Sequence, residues 1–328
     1  MRARRARRLA VLALAALAAL GWLAAGRPAD PCRPSLPGSP RGLPLQFIHI
    51  PKAGGTSLNA LLQQYAAARG AAFTHYHHAA LDRQHASPPG VRPAMLVRAA
   101  FDCPAAYPGA GVFTGHRQFG FCRRLLPRAR FHAASFREPA ARLVSEFDYA
   151  VRRFRDHFDP GGARRSGLVQ QYWAARDLSA LLLEAHAVRQ ALRAGAKDVP
   201  LDAQASAASL FAMCRTQTRL LGDPAGSQAR ALVDQALDNL DRLDIVLVLD
   251  HPDFAFRRQV AAQFQRHLAF PVPAALPGLN AATADKSQLT PAAAAIVHRW
   301  SKYDRIVYER AKQRAGELTL EAEKQCNY

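Results

Sequence analysis

The chain has 328 residues, 49% of them hydrophobic, and a formal net charge of +19. That is enough apolar material for one substantial domain, and the positive balance raises encounter rates with polyanions. Zinc-finger spacing and RNP-like aromatic segments are absent, which argues against a nucleic-acid partner, and none of the five cysteines stands in a C-x-x-C pair, which argues against structural zinc.

Residues 1–8 form a basic tail with arginine at 2, 4, 5, 7 and 8. Residues 9–25 are seventeen positions without a charge. That length is at the lower edge of a membrane-spanning helix and above the usual core of a signal peptide. With the basic cluster held in the cytoplasm, everything after Arg27 faces the lumen. The expected topology is that of a single-pass type II signal-anchor. Cleavage near Ala24-Ala25 with secretion is one alternative, and an organellar transit peptide is another. Residues 26–44 have proline at 28, 31, 34, 37, 40 and 44, a density that makes an extended stem. Cys32 lies in this stem and is the candidate for an intermolecular bridge, and so for a homo-oligomer. An odd count of cysteines in an oxidising lumen allows up to two internal disulfides and one spare thiol. No Asn-x-Ser/Thr sequon occurs. The remaining residues, 45–328, are expected to form the lumenal domain.

That domain opens on Phe47-Ile48-His49-Ile50-Pro51-Lys52-Ala53-Gly54-Gly55-Thr56-Ser57-Leu58. An apolar strand over 45–50 runs into a glycine turn, and a helix begins at Thr56-Ser57 and continues through Leu58, Leu61 and Leu62. Unpaired amides and the positive end of the helix dipole then point at one spot, an anion cradle. Lys52 adds a mobile charge, and the two hydroxyls add donors. Lys52 precedes the glycine pair, so the order is not that of a Walker loop, and no G-x-G-x-x-G accompanies it. The expected ligand is a phosphate or a similar anion.

Residues 73–78 hold His75, His77 and His78. With no carboxylate or thiol cluster beside them they read as a surface loop and not a metal site. Residues 112–116 form a brief strand ending at His116, and a strand-end histidine in an α/β fold faces the ligand crevice. Residues 131–136 are a further apolar strand. Arg137 stands at its end, Pro139 suits the first turn of a helix, and Leu143, Phe147 and Val151 give that helix a core-facing stripe. Ser145 lies about two turns in. Residues 168–192 have helical periodicity, 195–208 read as a breaker-rich loop, 229–243 as a helix and 244–249 as a buried strand. Helices over 254–268 and 291–316 close the chain, with a loop over 279–287 between them. Strands alternating with helices predict an α/β fold, a parallel sheet covered on both faces. The pairs Arg123-Arg124, Arg152-Arg153 and Arg164-Arg165 suit an acidic glycan or a solvated face equally.

The order Pro-Lys-x-Gly-Gly-Thr-Ser resembles the 5′-phosphosulfate loop of sulfotransferases that use 3′-phosphoadenosine 5′-phosphosulfate. The arrangement R-[DE]-P-x-x-R-x-x-S over residues 137–145 resembles their 3′-phosphate site, with Glu138 where the family more often has Asp. The likeness is closest to the membrane-bound carbohydrate sulfotransferases of the Golgi, the group with heparan sulfate 2-O- and 6-O-sulfotransferases and uronyl 2-O-sulfotransferase. It is strong over residues 45–62 and 130–149, weaker over 112–121 and 279–308, and not traceable through the middle.

The resemblance implies a P-loop-kinase-like sulfotransferase fold, that donor as co-substrate without a metal, and a glycan acceptor, an acidic polysaccharide or proteoglycan. It places Lys52, Ala53, Gly54, Gly55, Thr56 and Ser57 at the 5′-phosphosulfate, and Arg137 and Ser145 at the 3′-phosphate. Lys286 and Ser287 match the basic-hydroxyl pair of a loop that closes over the nucleotide. His116 matches the second member of a His-x-His pair in the 2-O-sulfotransferases and is the expected general base, with Glu146 and His132 as fallbacks. Thr114 occupies the first position of that pair, which leaves uronyl 2-O specificity open. Two other classes remain: an inactive, membrane-anchored glycan-binding protein of the same fold, and a nucleotide-dependent kinase. Protein-tyrosine sulfation fits the loop less well.

Overall fold

Short apolar runs followed by helices dictate a layered α/β arrangement, and the computed structural model of the protein has one. It describes residues 44–76, 110–115, 131–157, 172–174, 176–221, 229–273, 276 and 288–326. The strands are β1 (Leu45–Ile48), β2 (Ala72–Tyr76), β3 (Ala110–Gly115), β4 (Phe131–Phe136) and β5 (Ile245–Val248). The helices are α1 (Gly55–Ala68), α2 (Pro139–His157), α3 (Leu178–Arg193), α4 (Leu201–Met213), α5 (Thr216–Leu221), α6 (Ala229–Asp241), α7 (Phe256–Leu268), α8 (Pro291–Trp300) and α9 (Lys302–Cys326).

All the strand pairs are parallel, and the strand order is β2-β3-β1-β4-β5. Ile48 lies opposite Gly115 on one side and Ala134 on the other. From β1 the chain passes to β2 and β3 on one flank and later to β4 and β5 on the other. The carboxyl end of β1 is therefore the point where strand order reverses, the usual ligand crevice of an open α/β sheet.

The period-2 alternation of side chains divides the core between two faces. Leu45, Phe47 and Leu247 pack with Leu58, Leu61 and Tyr65 of α1 and Val260 and Phe264 of α7. Ile48, Phe136, Val246 and Val248 pack instead with Leu240 of α6 and Val307, Tyr308 and Ala311 of α9. A third cluster joins Leu143 and Phe147 of α2 to Leu182, Leu210 and Trp300, a helical layer built by α2, α3, α4 and α8.

Three expectations are corrected. The histidine segment over 73–78 is not a loop throughout, because Ala72–Tyr76 is a strand paired with β3. Its Phe-Thr-His-Tyr run has the β-branched and aromatic content of a strand, which outweighs the histidines. The interval 195–208 is not a loop either. Its breakers end at Pro200, the N-cap of α4, and the small residues that follow are helical. The closing helix over 291–316 is two helices, parted at Ser301, whose buried hydroxyl donates to the Val297 carbonyl at 2.6 Å. The basic tail, the span over 9–25, the stem to residue 43, His116, Lys286 and Ser287 lie outside the described residues. No helix among the described residues is long and apolar enough to cross a membrane. Cys326 is disulfide-bonded, while Cys214 is a free thiol whose burial pushes its pKa up to about 12.

β5 is a sheet edge, and two glutamines of α7 seal it. Gln263 accepts from Val246 N–H at 2.9 Å and donates to Val246 C=O at 2.8 Å. Gln259 does the same to Val248, at 2.8 Å for both bonds. Four residues of helix rise about 6 Å and two residues of strand about 6.6 Å, so the i, i+4 pair matches alternate strand positions. The edge is thereby closed to pairing with another chain. Gln259→Leu or Gln263→Leu keeps the volume but leaves two buried backbone groups unsatisfied. Each is expected to cost about 2–3 kcal/mol, read as a lower urea midpoint at unchanged m-value. An unmoved midpoint would mean that water replaces the glutamine.

Candidate functional site

After β1 the chain makes a tight loop. Lys52 adopts a left-handed φ of 64°, uncommon for a residue with a side chain and a form of local strain associated with functional loops. Gly54 follows with φ 82° as the N-cap of α1, where it provides no capping side chain, and the first turn of α1 has no acidic residue. The first amides of α1 and the positive end of its dipole are therefore left for an anion. The two glycines serve different needs. Gly54 supplies the positive φ, whereas at Gly55 an added Cβ would lie 1.8 Å from Nε2 of His49. The His49 ring occupies the space beside the helix start.

The β4–α2 turn meets this loop from the neighbouring strand. Arg137 donates from its guanidinium to the Lys52 carbonyl at 3.2 Å. Its own backbone is held on both sides by buried Gln217, which accepts from Arg137 N–H at 3.3 Å and donates to Arg137 C=O at 3.0 Å. Gln217 is in turn fixed by Asp304 of α9, a fully buried carboxylate that accepts from the N–H groups of Gln217 at 3.0 Å and Thr218 at 2.8 Å. Glu138 caps α2 by accepting from Ala141 N–H at 2.6 Å. The acid before Pro139 thus has a role at the helix start, where its carboxylate meets an otherwise unpaired N–H.

Lys52 Nζ lies 4.2 Å from the centre of the Tyr149 ring. Burial lowers the pKa of its ammonium, Arg152 and Arg137 lower it further, and Glu146 opposes them. Arg137 is also held below its ordinary value, chiefly by burial, with Asp250 and Glu138 opposing. Three cations, Lys52, Arg137 and Arg152, thus share one field. The arrangement is suited to a polyanion and poorly suited to a metal, and among the described residues no cluster of His, Cys, Asp and Glu can hold one.

Among the sequence-predicted residues, Lys52, Ala53, Gly54, Gly55, Thr56, Ser57 and Arg137 come together at the carboxyl ends of β1 and β4. Ser145 is half-buried on α2. Tyr149 is not marked by the sequence motifs, and Arg152 enters there only through the Arg152-Arg153 pair, not as a neighbour of Lys52. Their spacing from Ser145, four and seven positions along one helix face, is the signal that identifies them. Of the fallback bases, Glu146 is ion-paired to the fully buried Arg142. His132 stands at the opposite end of β4, with its N–H donating to Asp244 at 2.8 Å. Five extended residues, ~16 Å, separate it from Arg137. His116 follows Gly115, whose carbonyl accepts from His49 N–H at 2.9 Å. The same sheet edge carries a histidine pair that the sequence did not reveal. His75 Nδ1 lies 2.7 Å from Thr114 Oγ1 and 3.0 Å from the Asn59 amide, and its ring centre is 6.1 Å from that of His49. Thr114 therefore stands beside an imidazole brought by β2.

The His49–Gly55 contact predicts a specific rescue. Gly55→Ala is expected to cost about 2–3 kcal/mol through overpacking. In a His49→Ala background the same change should cost less than about 1 kcal/mol, since alanine is the better helix former. Urea unfolding of the four variants measures this, and equal costs in both backgrounds would remove His49 from the account.

No protein-family model matches the chain and no curated protein matches it, so a functional reading rests on the chain's own residues.

Proposed function

We propose that the chain transfers a sulfuryl group from 3′-phosphoadenosine 5′-phosphosulfate to a hydroxyl of an acidic glycan, on a P-loop-kinase-like sulfotransferase fold. The observation that carries this reading is the bond from Arg137 to the Lys52 carbonyl. It joins two segments 85 positions apart, the same two that resemble the 5′-phosphosulfate loop and the 3′-phosphate site. A donor with an anion at each end needs two adjacent clusters of positive charge. Lys52 with the start of α1 offers one, and Arg137 offers the other.

The donor, when bound, supplies an activated sulfuryl group on a nucleotide bisphosphate leaving group. The residues around it position charge, as in phosphoryl transfer. Amides of Gly54 to Ser57 and the hydroxyls of Thr56 and Ser57 hold the 5′ end, while the Ala53 N–H donates to the Ile50 carbonyl at 3.3 Å and shapes the loop. Lys52 Nζ stabilises the negative charge that grows on the leaving oxygen. Arg137 and Ser145 hold the 3′-phosphate, and Lys286 and Ser287 close over the nucleotide. An anion in the site relieves the mutual repulsion of Lys52, Arg137 and Arg152. His116 takes the proton of the acceptor hydroxyl, the role of general base to which an imidazole is suited. In the cell, residues 9–25 anchor the enzyme in the Golgi membrane as a type II protein and residues 26–44 hold the domain in the lumen. Release after cleavage is the alternative.

Two experiments test the reading on the full-length chain. By calorimetry, 3′-phosphoadenosine 5′-phosphate should bind more tightly than 5′-AMP or ATP. Arg137→Ala should erase that preference by removing a charge-assisted contact of about 1.5–3 kcal/mol. Equal affinity for ATP and the bisphosphate would favour a kinase instead. Transfer of labelled sulfate to a glycan panel tests the chemistry. Lys52→Ala should abolish turnover, while His116→Ala should keep bisphosphate affinity and lower kcat by roughly 100- to 10,000-fold. Near-full activity of His116→Ala would move the base to another group, with His75 first to be examined.

A further inference from the structure

A second concentration of positive charge lies in the helical layer, on side chains unrelated to the nucleotide motifs. A cavity of about 280 Å3 opens between α3, the α4–α5 turn, and the junction of α8 and α9. Arg189 and Arg193 of α3, Arg215 of the α4–α5 turn, Arg299 of α8 and Lys302 of α9 line it, and among the described residues no Asp or Glu does. Helices distant in sequence each contribute a cation to one opening.

None of these five cations is ion-paired among the described residues. Elsewhere, Arg258, Arg266 and Arg310 each have a carboxylate partner within 3 Å. Placing like charges together without counter-charge opposes folding. At Arg189 burial lowers the pKa first, and the neighbouring Arg193 and Arg215 lower it further. A multivalent anion in the cavity removes that repulsion and gains charge-assisted hydrogen bonds.

We infer that this cavity is a binding site for an acidic oligosaccharide. The choice of occupant rests on the glycan-sulfotransferase reading, and the aromatic residues support it over nucleic acid. The Arg189 guanidinium lies 3.6 Å from the centre of the Phe211 ring. Arg215 and Lys302 stand 4.9 Å and 4.6 Å from that of Tyr303. The rings are engaged by the cations and hold them in place, whereas single-stranded nucleic acid requires open aromatic faces for its bases. At about 280 Å3 the cavity is at the small end of ligand pockets. It takes one part of a chain, and neighbouring acid groups meet the exposed Arg193, Arg299 and Lys302 at the rim. The site gives the enzyme a hold on a long acceptor through residues other than those at Lys52, which favours sulfated or uronic-acid-rich glycans over neutral ones.

The test uses the full-length chain and a heparin-derived hexasaccharide as probe, with a neutral glucose hexasaccharide and a single-stranded deoxyhexanucleotide for comparison. The variant Arg193→Gln/Arg299→Gln/Lys302→Gln changes only rim residues, and thermal melting confirms its fold. Arg258→Gln, a change to a cation already paired with Glu323, is the control. The heparin fragment should bind the native chain and the control alike. The triple variant should bind it at least about tenfold more weakly and with a shallower salt dependence, as expected when charge-assisted contacts are lost. Single substitution Arg299→Gln, should the triple variant melt early, should give a smaller loss in the same direction. Unchanged affinity in the folded variant would overturn the inference, as would tighter binding of the hexanucleotide through these same residues. Bisphosphate affinity, measured in parallel, reports on the Lys52 site separately. A chain that loses hexasaccharide binding on the triple substitution yet never binds bisphosphate would keep this cavity as a glycan site and remove the sulfotransferase reading.

Discussion

The hydrogen bond from Arg137 to the Lys52 carbonyl is the contact on which the site depends. It links the loops that leave two adjacent parallel strands, β1 and β4, at the point where strand order reverses. A main-chain acceptor in a loop with left-handed φ at Lys52 and Gly54 is in place only while that loop keeps its shape. The guanidinium therefore reports on, and supports, the conformation that leaves the first amides of α1 available. One arginine both contributes charge to the anion site and fixes the backbone that forms it.

Behind that contact stands a buried polar relay that reaches the C-terminal helix. Asp304 of α9 holds the start of α5, α5 presents Gln217, and Gln217 clamps the backbone of Arg137 on both sides. A fully buried carboxylate is costly, and burial does push the Asp304 pKa up, against the opposing influence of Arg142 and of the Thr218 bonds. What the relay contributes is position. With no side-chain freedom left along it, Arg137 enters the site preorganised, the condition under which electrostatic stabilisation is most effective. The fully buried Arg142, paired with Glu146 and bonded to the Met213 carbonyl, extends the same function to α2. The second arginine of the R-[DE]-P-x-x-R pattern is thus part of the support, while the first stands against the Lys52 loop.

Much of this was legible in the sequence because local physics dictated it. The apolar runs of β1, β4 and β5 and the stripe of Leu143, Phe147 and Val151 needed no tertiary information, and the glycine pair announced a helix start. What could not be read depended on contacts between distant segments. Gly55 looks like turn chemistry, yet its reason is the His49 ring. His75 looked like a loop histidine because nothing local shows that residues 72–76 pair with β3. Gln259 and Gln263 look like surface residues of a polar helix until β5 is placed at the sheet edge beside them. Tyr149 was hidden in a different way, since the periodicity that marks a core stripe says nothing of the opposite helix face, and Arg152 stood out only as one of an arginine pair.

The two cationic regions also differ in how their charge is compensated, and the difference bears on what each can bind. At Lys52 and Arg137 the positive field is partly offset by Glu146, Asp250 and Glu138. A site balanced in this way favours a compact anion that meets the donors in one fixed geometry, because an ill-placed anion also meets the carboxylates. In the helical cavity no carboxylate among the described residues lines the opening, so attraction there is less directional and tolerates variation in ligand sequence. A small, invariant co-substrate suits the first condition and a heterogeneous polymer suits the second. On the proposed reading, the first region would supply geometric selection and the second electrostatic capture, the two demands that a long acidic glycan makes of an enzyme.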